Sequence, residues 1–117
     1  MNYNLDLNDR PFRAIKEGTK KIEGRTRTSQ NTFSYDALKV GDTLTFLNNV
    51  TGEILVVDIL GVRHYLDTRS MLEAEGTRNV LSSGGTIEQG IESYNSFFEY
   101  KEGIVRYGIY AIEIRVK

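Results

Sequence analysis

The chain has 117 residues, 39% hydrophobic and 26% charged, which predicts one globular domain spanning residues 1–117. It has no cysteine and one histidine, His64, which excludes disulfides, thiolate or multi-histidine metal sites and a cysteine nucleophile. There is no apolar run of membrane-spanning length and no signal-peptide pattern, so we expect a cytoplasmic protein that needs neither a metal nor another cofactor.

Charge is distributed unevenly along the chain. Residues 10–27 carry seven Lys or Arg and two Asp or Glu, a local charge of +5, although the whole chain has a net charge of −1. A positive segment on an acidic body predicts an anionic partner, and a self-neutralising solvated surface is the alternative. Because the net charge is negative, any binding of nucleic acid has to be local.

The N-terminal part predicts a strand, a short helix and a second strand. Residues 3–7 alternate apolar and polar side chains, which is typical of a strand. A helix of about two turns follows, and Gly18 ends it. Residues 19–25 predict the second strand, and residues 26–36, which show no period, predict a surface loop.

The middle of the chain predicts a hairpin. Its strands are residues 43–47 and 54–60, with a turn between them. The second strand is the most apolar run of the sequence, and its β-branched side chains predict a central strand covered on both faces. Asp58 lies inside this run, so it requires a partner or a position at the rim of the core.

The C-terminal part predicts two helices and the closing strands. One helix covers about residues 67–75, and a capping-box spacing at Thr86 begins the other. Residues 102–103 predict a turn, and residues 104–117 predict one or two strands, the last of them half-exposed. This order predicts an α+β fold, a small mixed β-barrel with two to three short flanking helices.

Three segments resemble motifs of the ASCH domain family. They are Gly18-x-Lys20-x-x-Glu23-x-Arg25, Lys39-Val40-Gly41-Asp42-x-x-x-Phe46 and Gly108-Ile109-Tyr110-Ala111-Ile112-Glu113-Ile114. The resemblance runs from about residue 5 to residue 116. It implies a PUA-like β-barrel that binds RNA, a nucleotide or a nucleoside in a cleft beside the first motif.

The first motif supplies most of the candidate ligand-binding residues. Lys20 and Arg25 suit phosphate, the first as a point charge and the second as a two-pronged donor. Glu23 either pairs with one of these cations, or accepts from a base amino group, or acts as a general base. If side chains alternate strictly along the strand, Lys20 lies on the face opposite to Glu23 and Arg25. A site shared by all three therefore requires a bend or bulge at the start of the strand. The predicted ligand-binding residues are Lys20, Lys21, Glu23, Arg25, Arg27 and Tyr65.

Aromatic side chains provide candidates for stacking on a base. Those outside the predicted core pattern are Phe33, Tyr35, Tyr65 and Tyr107, each with ordinary packing as the alternative. Those assigned to the core are Phe12, Phe46, Tyr94 and Tyr110. For His64 we expect a surface position or a satisfied polar contact.

The resemblance also implies an alternative, metal-independent hydrolysis. Some small bacterial members resemble amidohydrolases of N4-acylated cytidines, and ribonuclease activity is attributed to another line. The amidohydrolases are proposed to use a Lys and a Thr of the first motif and a later Glu. Here Lys20 matches the Lys, Glu23 occupies the position of the Thr and cannot act as the same nucleophile, and Glu75 or Glu73 matches the later Glu. The catalytic residues of this alternative are Lys20, Glu23 and Glu75, with water as the nucleophile.

Overall fold

The computed structural model describes residues 1–117, which fold around one five-stranded sheet. The strands are β1 (Asn2–Leu7), β2 (Ile22–Arg25), β3 (Thr43–Asn48), β4 (Ile54–Tyr65) and β5 (Ile109–Val116). The sheet order is β1-β3-β4-β5-β2, with β1 and β3 parallel and every other pair antiparallel. The sheet curls into a half-barrel whose open seam lies between its edge strands, β1 and β2. The predicted α+β fold with a small mixed barrel is confirmed.

Five α-helices flank the sheet. They are α1 (Asp9–Glu17), α2 (Thr68–Glu75), α3 (Thr77–Val80), α4 (Ile87–Asn95) and α5 (Tyr100–Tyr107). The sequence patterns predicted α1, α2 and α4, and the structure adds α3 and α5. The predicted turn at residues 102–103 is wrong, because Gly103 lies inside α5, where its small size lets the helix pack against the backbone carbonyl of Arg27. None of the helices has the length and apolar character required to cross a membrane.

The sheet separates two hydrophobic clusters. The inner cluster lies in the concave side of the half-barrel and includes Phe12 and Ile15 of α1. The outer cluster lies between β2, β5 and the helices α2 to α5. Since β5 supplies Ile112 to the first and Ala111 to the second, its N-terminal half is buried on both faces. The predicted half-exposed strand is therefore found only toward the C-terminal end.

Strand β4 is central, as predicted, but it is not covered on both faces. Its inner side chains Val57 and Ile59 are fully buried, whereas Leu60 on the outer face is 37% exposed. Asp58 lies on that outer face and pairs with Lys117 Nζ at 3.3 Å and, more loosely, with a neighbouring arginine. The acid within the apolar run therefore has a partner, and the outer face of the strand is partly open to solvent.

The segment after β2 is anchored more firmly than a surface loop. Thr26 is buried and donates a hydrogen bond to the carbonyl oxygen of Gly108 at 2.7 Å. Tyr35 begins a short 3-10 turn, is fully buried in the inner cluster and accepts a hydrogen bond from Asn31 at 2.9 Å. The prediction that residues 26–36 form a surface loop is thus wrong at both ends, and Tyr35 is a core residue with no face open to a base.

Candidate functional site

A cleft of about 390 Å³ opens at the seam of the half-barrel. Its floor is β2 and the residues just before it. One wall is the end of β1 with the start of α1, and the other is the chain after α3 together with α4 and the start of α5. The residues that line it are Asp6, Leu7, Asn8, Arg10, Pro11, Lys20, Glu23, Gly24, Arg25, Asn49, Val80, Leu81, Ser82, Ser83, Ser93, Tyr94, Phe97 and Tyr100.

The cleft floor brings together the three charged residues of the first motif. Lys20, Glu23 and Arg25 are only 5%, 6% and 9% exposed. Glu23 Oε1 lies 3.3 Å from Lys20 Nζ, and its Oε2 accepts from Arg25 Nε at 2.6 Å. Strand β2 begins only at Ile22, so Lys20 precedes it and strict alternation does not apply. This explains how all three side chains meet without a bulge inside the strand.

Lys20 is held almost entirely by the protein itself. Its Nζ donates to the carbonyl oxygen of Ile22 at 2.6 Å and to that of Val80, in addition to its contact with Glu23. An ammonium group has three N–H donors, so all three have an acceptor within the chain. Lys20 thus ties the end of α3 to the start of β2 and positions Glu23.

Burial and charge act against each other at the two ends of this ion pair. Burial by itself would raise the pKa of Glu23, but the neighbouring Arg25 and Lys20 cations hold it below its usual range. Burial lowers the pKa of Lys20, and the Glu23 carboxylate offsets this only in part. The carboxylate is therefore ionised at neutral pH and is a weak base.

Arg25 connects the two edges of the sheet. Besides its bond to Glu23, its Nη2 donates to the backbone carbonyl of Asp6 in β1 at 2.7 Å. Its guanidinium also lies beside the buried hydroxyl of Tyr35, where it partly offsets the rise that burial causes in the pKa of that group. Arg25 lines the cleft, so a ligand meets a guanidinium donor that the chain holds in place.

An aromatic wall stands beside this donor. Tyr94 and Tyr100 stack with ring centroids 6.3 Å apart, and Phe97 meets both edge-on at 5.9 and 5.4 Å. Tyr94 is buried, as predicted for a core residue, and also lines the cleft. Phe97 is 44% exposed, so part of its ring is open to a ligand. Burial raises the pKa of Tyr100 to about 12, so its hydroxyl remains neutral and able to donate.

The rim of the cleft is polar. Arg10 lies at the start of α1, is exposed and takes part in none of the ion pairs of the chain. The hydroxyl groups of Ser82 and Ser83 line the opposite lip. A free cation facing free hydroxyls suits an anionic or strongly polar part of a ligand.

The remaining residues predicted for the site lie outside the cleft. Lys21 is exposed and does not line the cleft. Arg27 lines a second, neighbouring depression. Glu75 forms a two-pronged pair with Arg63 at 2.6 and 2.8 Å and accepts from the hydroxyl of Tyr65 at 2.5 Å. The structure does not bring Glu75 or Tyr65 together with Lys20 and Glu23.

The other aromatic candidates and His64 have local contacts. Phe33 packs edge-on against Tyr3 with a centroid distance of 5.3 Å, and Tyr107 lines the second depression. His64 Nε2 lies 2.8 Å from the carbonyl oxygen of Tyr107, which gives it the satisfied polar contact expected from the sequence. No group of three or more metal-ligating side chains is close enough together to hold a metal ion.

Sequence reasoning missed Arg10, Phe97 and Tyr100 as individual lining residues. Arg10 belongs to the positive segment, but its lack of a partner depends on tertiary structure. Tyr94 lies in α4, Phe97 in the turn that follows it and Tyr100 at the start of α5, so the fold brings the three rings together. Because α5 was not predicted, no sequence pattern placed Phe97 and Tyr100 beside Tyr94.

Known proteins resemble this chain along its full length. A sequence model of the ASCH domain matches residues 5–117. The crystal structure of hypothetical protein PH0355 is 35% identical, with a TM-score of 0.83 and 100% of both chains covered. The solution NMR structure of protein PF0455 from Pyrococcus furiosus is 35% identical, with a TM-score of 0.74, covering 99% of this chain and 97% of that one. No curated protein sequence matches the chain.

A third solved structure shows the same fold at low identity. It is the S128A mutant of ZmASCH from Zymomonas mobilis, with a TM-score of 0.58 and 12% identity, covering 96% of this chain and 66% of that one. The family match, which spans nearly all residues, confirms the resemblance carried by the three motifs. The half-barrel is accordingly a PUA-like fold, and the chain belongs to the ASCH domain family.

Proposed function

We propose that the cleft at the seam binds a nucleobase-containing ligand, namely RNA, a nucleotide or a nucleoside. The observation that carries the proposal is the Arg25 guanidinium, held beside the Glu23 carboxylate in a cleft that the half-exposed ring of Phe97 also lines. A base offers hydrogen-bond donors and acceptors along its edge and a flat face for stacking, and this site has a counterpart for each.

The position of each side chain in the cleft suggests which part of the ligand it contacts. Glu23 accepts from a base N–H, and Arg25 donates to a neighbouring base acceptor. Phe97 and Tyr100 cover the face of the base, and Arg10 at the rim contacts phosphate. Lys20 has no unused donor and supports the site by fixing Glu23.

The electrostatics of Glu23 favour binding over proton transfer. A general base works best when its pKa lies near the working pH, and the adjacent cations hold the pKa of Glu23 below its usual range against the effect of burial. The same ionised carboxylate is a strong hydrogen-bond acceptor. This is the reason for preferring a binding role.

Matched variants test the proposal. Phe97 lines the cleft, and the adjacent Phe98 is 59% exposed but does not line it. Titration of a fluorescently labelled short single-stranded RNA should show about tenfold weaker binding for Phe97→Ala, the loss of one stacking contact. Phe98→Ala should bind like the wild type. Equal affinities for the two variants would contradict the proposal.

A second pair tests the phosphate contact at the rim. Arg10→Gln should weaken RNA binding and reduce its salt dependence, because one phosphate contact is lost. Arg13 on the same helix pairs with Asp9 at 3.1 Å and does not line the cleft, so Arg13→Gln serves as the control. If neither salt nor Arg10→Gln changes the affinity, the proposed contact between Arg10 and a phosphate of the ligand is wrong.

Hydrolysis of a modified nucleoside or of RNA is the second candidate, favoured by one observation. The cleft holds an amine, Lys20, whose pKa burial lowers, and the hydroxyls of Ser82 and Ser83 lie on its lip. Turnover of N4-acetylcytidine or single-stranded RNA that is lost in Glu23→Gln, with the variant still folded, would support this candidate. Turnover that survives in Glu23→Gln would sink the mechanism that names this residue.

A further inference from the structure

A second depression, of about 330 Å³, lies beside the cleft. One side is formed by the segment that follows β2, and the other by α5. Its lining residues are Arg27, Thr28, Ser29, Thr32, Glu99, Glu102, Gly103, Arg106 and Tyr107. All but one of its lining residues are non-hydrophobic, so a polar or charged ligand suits it better than an apolar one.

Two guanidinium groups share one aromatic ring in this depression. The Cζ atoms of Arg27 and Arg106 lie 5.5 and 5.4 Å from the ring centroid of Tyr107. Arg27 has a loose partner in Asp36 at 3.5 Å, whereas Arg106 takes part in none of the ion pairs of the chain. Two like charges that line one depression repel each other, and an anion bound in the depression would reduce that repulsion.

The two sides of the depression are fixed to one another. The carboxylate of Glu99 accepts from the backbone N–H of Ser29 at 2.7 Å, and Glu99 has a left-handed backbone with φ of 58°. Gly103 packs directly against the carbonyl of Arg27. The left-handed conformation of a non-glycine residue costs free energy. The hydrogen bond between Glu99 and Ser29 accompanies this conformation and ties the segment after β2 to the start of α5.

The depression continues the cleft along the same two elements. Arg25 and Tyr100 line the cleft, and Arg27 and Gly103 line the depression. Between the two arginines lies Thr26, which is buried. The cleft and the depression are therefore neighbours, separated by the contact between the segment after β2 and α5.

We infer that the ligand of the cleft is a single-stranded RNA of at least two nucleotides, with the phosphate that follows the cleft-bound base held by Arg27 and Arg106. The inference rests on the proposed function of the cleft. Guanidinium forks match phosphate oxygens, and Tyr107, which is 37% exposed, offers a further contact to the next nucleotide. A free nucleoside fills only the cleft and leaves these groups unused.

A length series tests this directly. The probes are a nucleoside 5′-monophosphate, which lacks the phosphate that follows the base, and labelled oligonucleotides of two, three and four nucleotides, titrated against the full chain. Wild-type affinity should rise clearly from one to three nucleotides. Arg106→Gln should weaken the trinucleotide about tenfold, the loss of one charged hydrogen bond, and should lower the salt slope by about 0.7. The mononucleotide should bind this variant as it binds the wild type.

Two further variants on α5 sharpen the test. Lys101 is exposed, forms no ion pair and lines neither hollow, so Lys101→Gln should leave affinity and salt slope unchanged. Glu102→Gln removes a negative charge from the lining and should strengthen binding of the trinucleotide.

The outcomes separate the two proposals. If every length binds equally and Arg106→Gln has no effect, the inference that RNA extends into the second depression is wrong, and the cleft alone holds the ligand. If Lys101→Gln weakens binding as much as Arg106→Gln does, the effect is general electrostatics and the specific contact is wrong. If no length binds at all, the proposed function of the cleft fails, and this inference fails with it.

Discussion

At the scale of single residues, Glu23 is the centre of the site. It links Lys20 and Arg25, so the buried cluster contains two cations and one anion and retains a net positive charge. A buried charge that loses its partner is strongly destabilising, more so than the pair is stabilising. The same arrangement that makes Glu23 a fixed acceptor therefore makes the fold depend on it.

Replacing Glu23 by Gln should destabilise the protein markedly. The substitution preserves size but leaves two buried cations uncompensated, and we expect a loss of about 3 kcal/mol in the free energy of unfolding. Urea denaturation at pH 7 measures it. Glu73→Gln is the control, because Glu73 is exposed and has no ion-pair partner, and it should change stability by less than about 0.5 kcal/mol. Equal stabilities of the two variants would contradict the proposed role of the carboxylate.

The stability difference between the wild type and Glu23→Gln should depend on pH. The pKa of Glu23 in the folded protein lies below its unfolded value, since the effect of its two cations exceeds that of burial. Its contribution is therefore complete above the unfolded pKa, about 4.3, and is lost as the pH falls toward the folded pKa. The stability difference between wild type and Glu23→Gln should be constant from pH 7 to pH 5. Below about pH 4 it should shrink by about 1.4 kcal/mol per pH unit.

A difference that stays constant down to pH 3 would show that the pKa of Glu23 is the same in the folded and unfolded protein, and a difference that varies between pH 7 and pH 5 would show that the folded pKa is raised. Glu73→Gln, measured over the same range, accounts for the changes that all carboxylates share.

At the scale of elements, β2 is shaped by a glycine. A Cβ at Gly24 would overlap the hydroxyl of Tyr94 and lie 3.2 Å from Met71 Cε. The absence of a side chain therefore lets α4 approach the strand and places Tyr94 in the cleft wall. A glycine inside a strand weakens the sequence signal for that strand, although here it serves a close approach between elements.

Gly24→Ala should push α4 away from β2 and cost about 1–3 kcal/mol of stability. Tyr94→Phe removes the oxygen that the new Cβ would overlap. Gly24→Ala should therefore cost less stability in the Tyr94→Phe background than in the wild type. Thermal or urea denaturation of the four proteins gives the coupling between the two positions. Strict additivity of the two changes would show that the contact does not constrain the helix.

Elements whose signals are local could be predicted from the sequence. The capping box at Thr86 and the left-handed Gly18 are set by neighbouring residues, and both are found in the structure. Helix α5 was missed because its glycine indicates a turn unless its contact with Arg27 is known. The outer face of β4 was misjudged because its apolar run does not reveal that no element covers it.

At the scale of the whole molecule, the site exists because the sheet does not close. The edge strands β1 and β2 are joined by the bond from Arg25 to the carbonyl of Asp6, and the space between them is the cleft. The motif could be recognised from the sequence, and the meeting of Lys20, Glu23 and Arg25 could be named as a hypothesis. The aromatic wall could not be placed, since it belongs to α4, α5 and the turn between them, which are distant in sequence from β2.

The most direct test of the central claim is an amide NMR titration of the labelled protein with a short single-stranded RNA. If the cleft at the seam is the binding site, the signals of Gly24, Arg25 and Tyr100 should shift in a saturable manner, and those of Leu47 and Leu60 on the outer face of the sheet should not. Saturable shifts confined to the outer face, or no saturable shifts at all, would contradict the account.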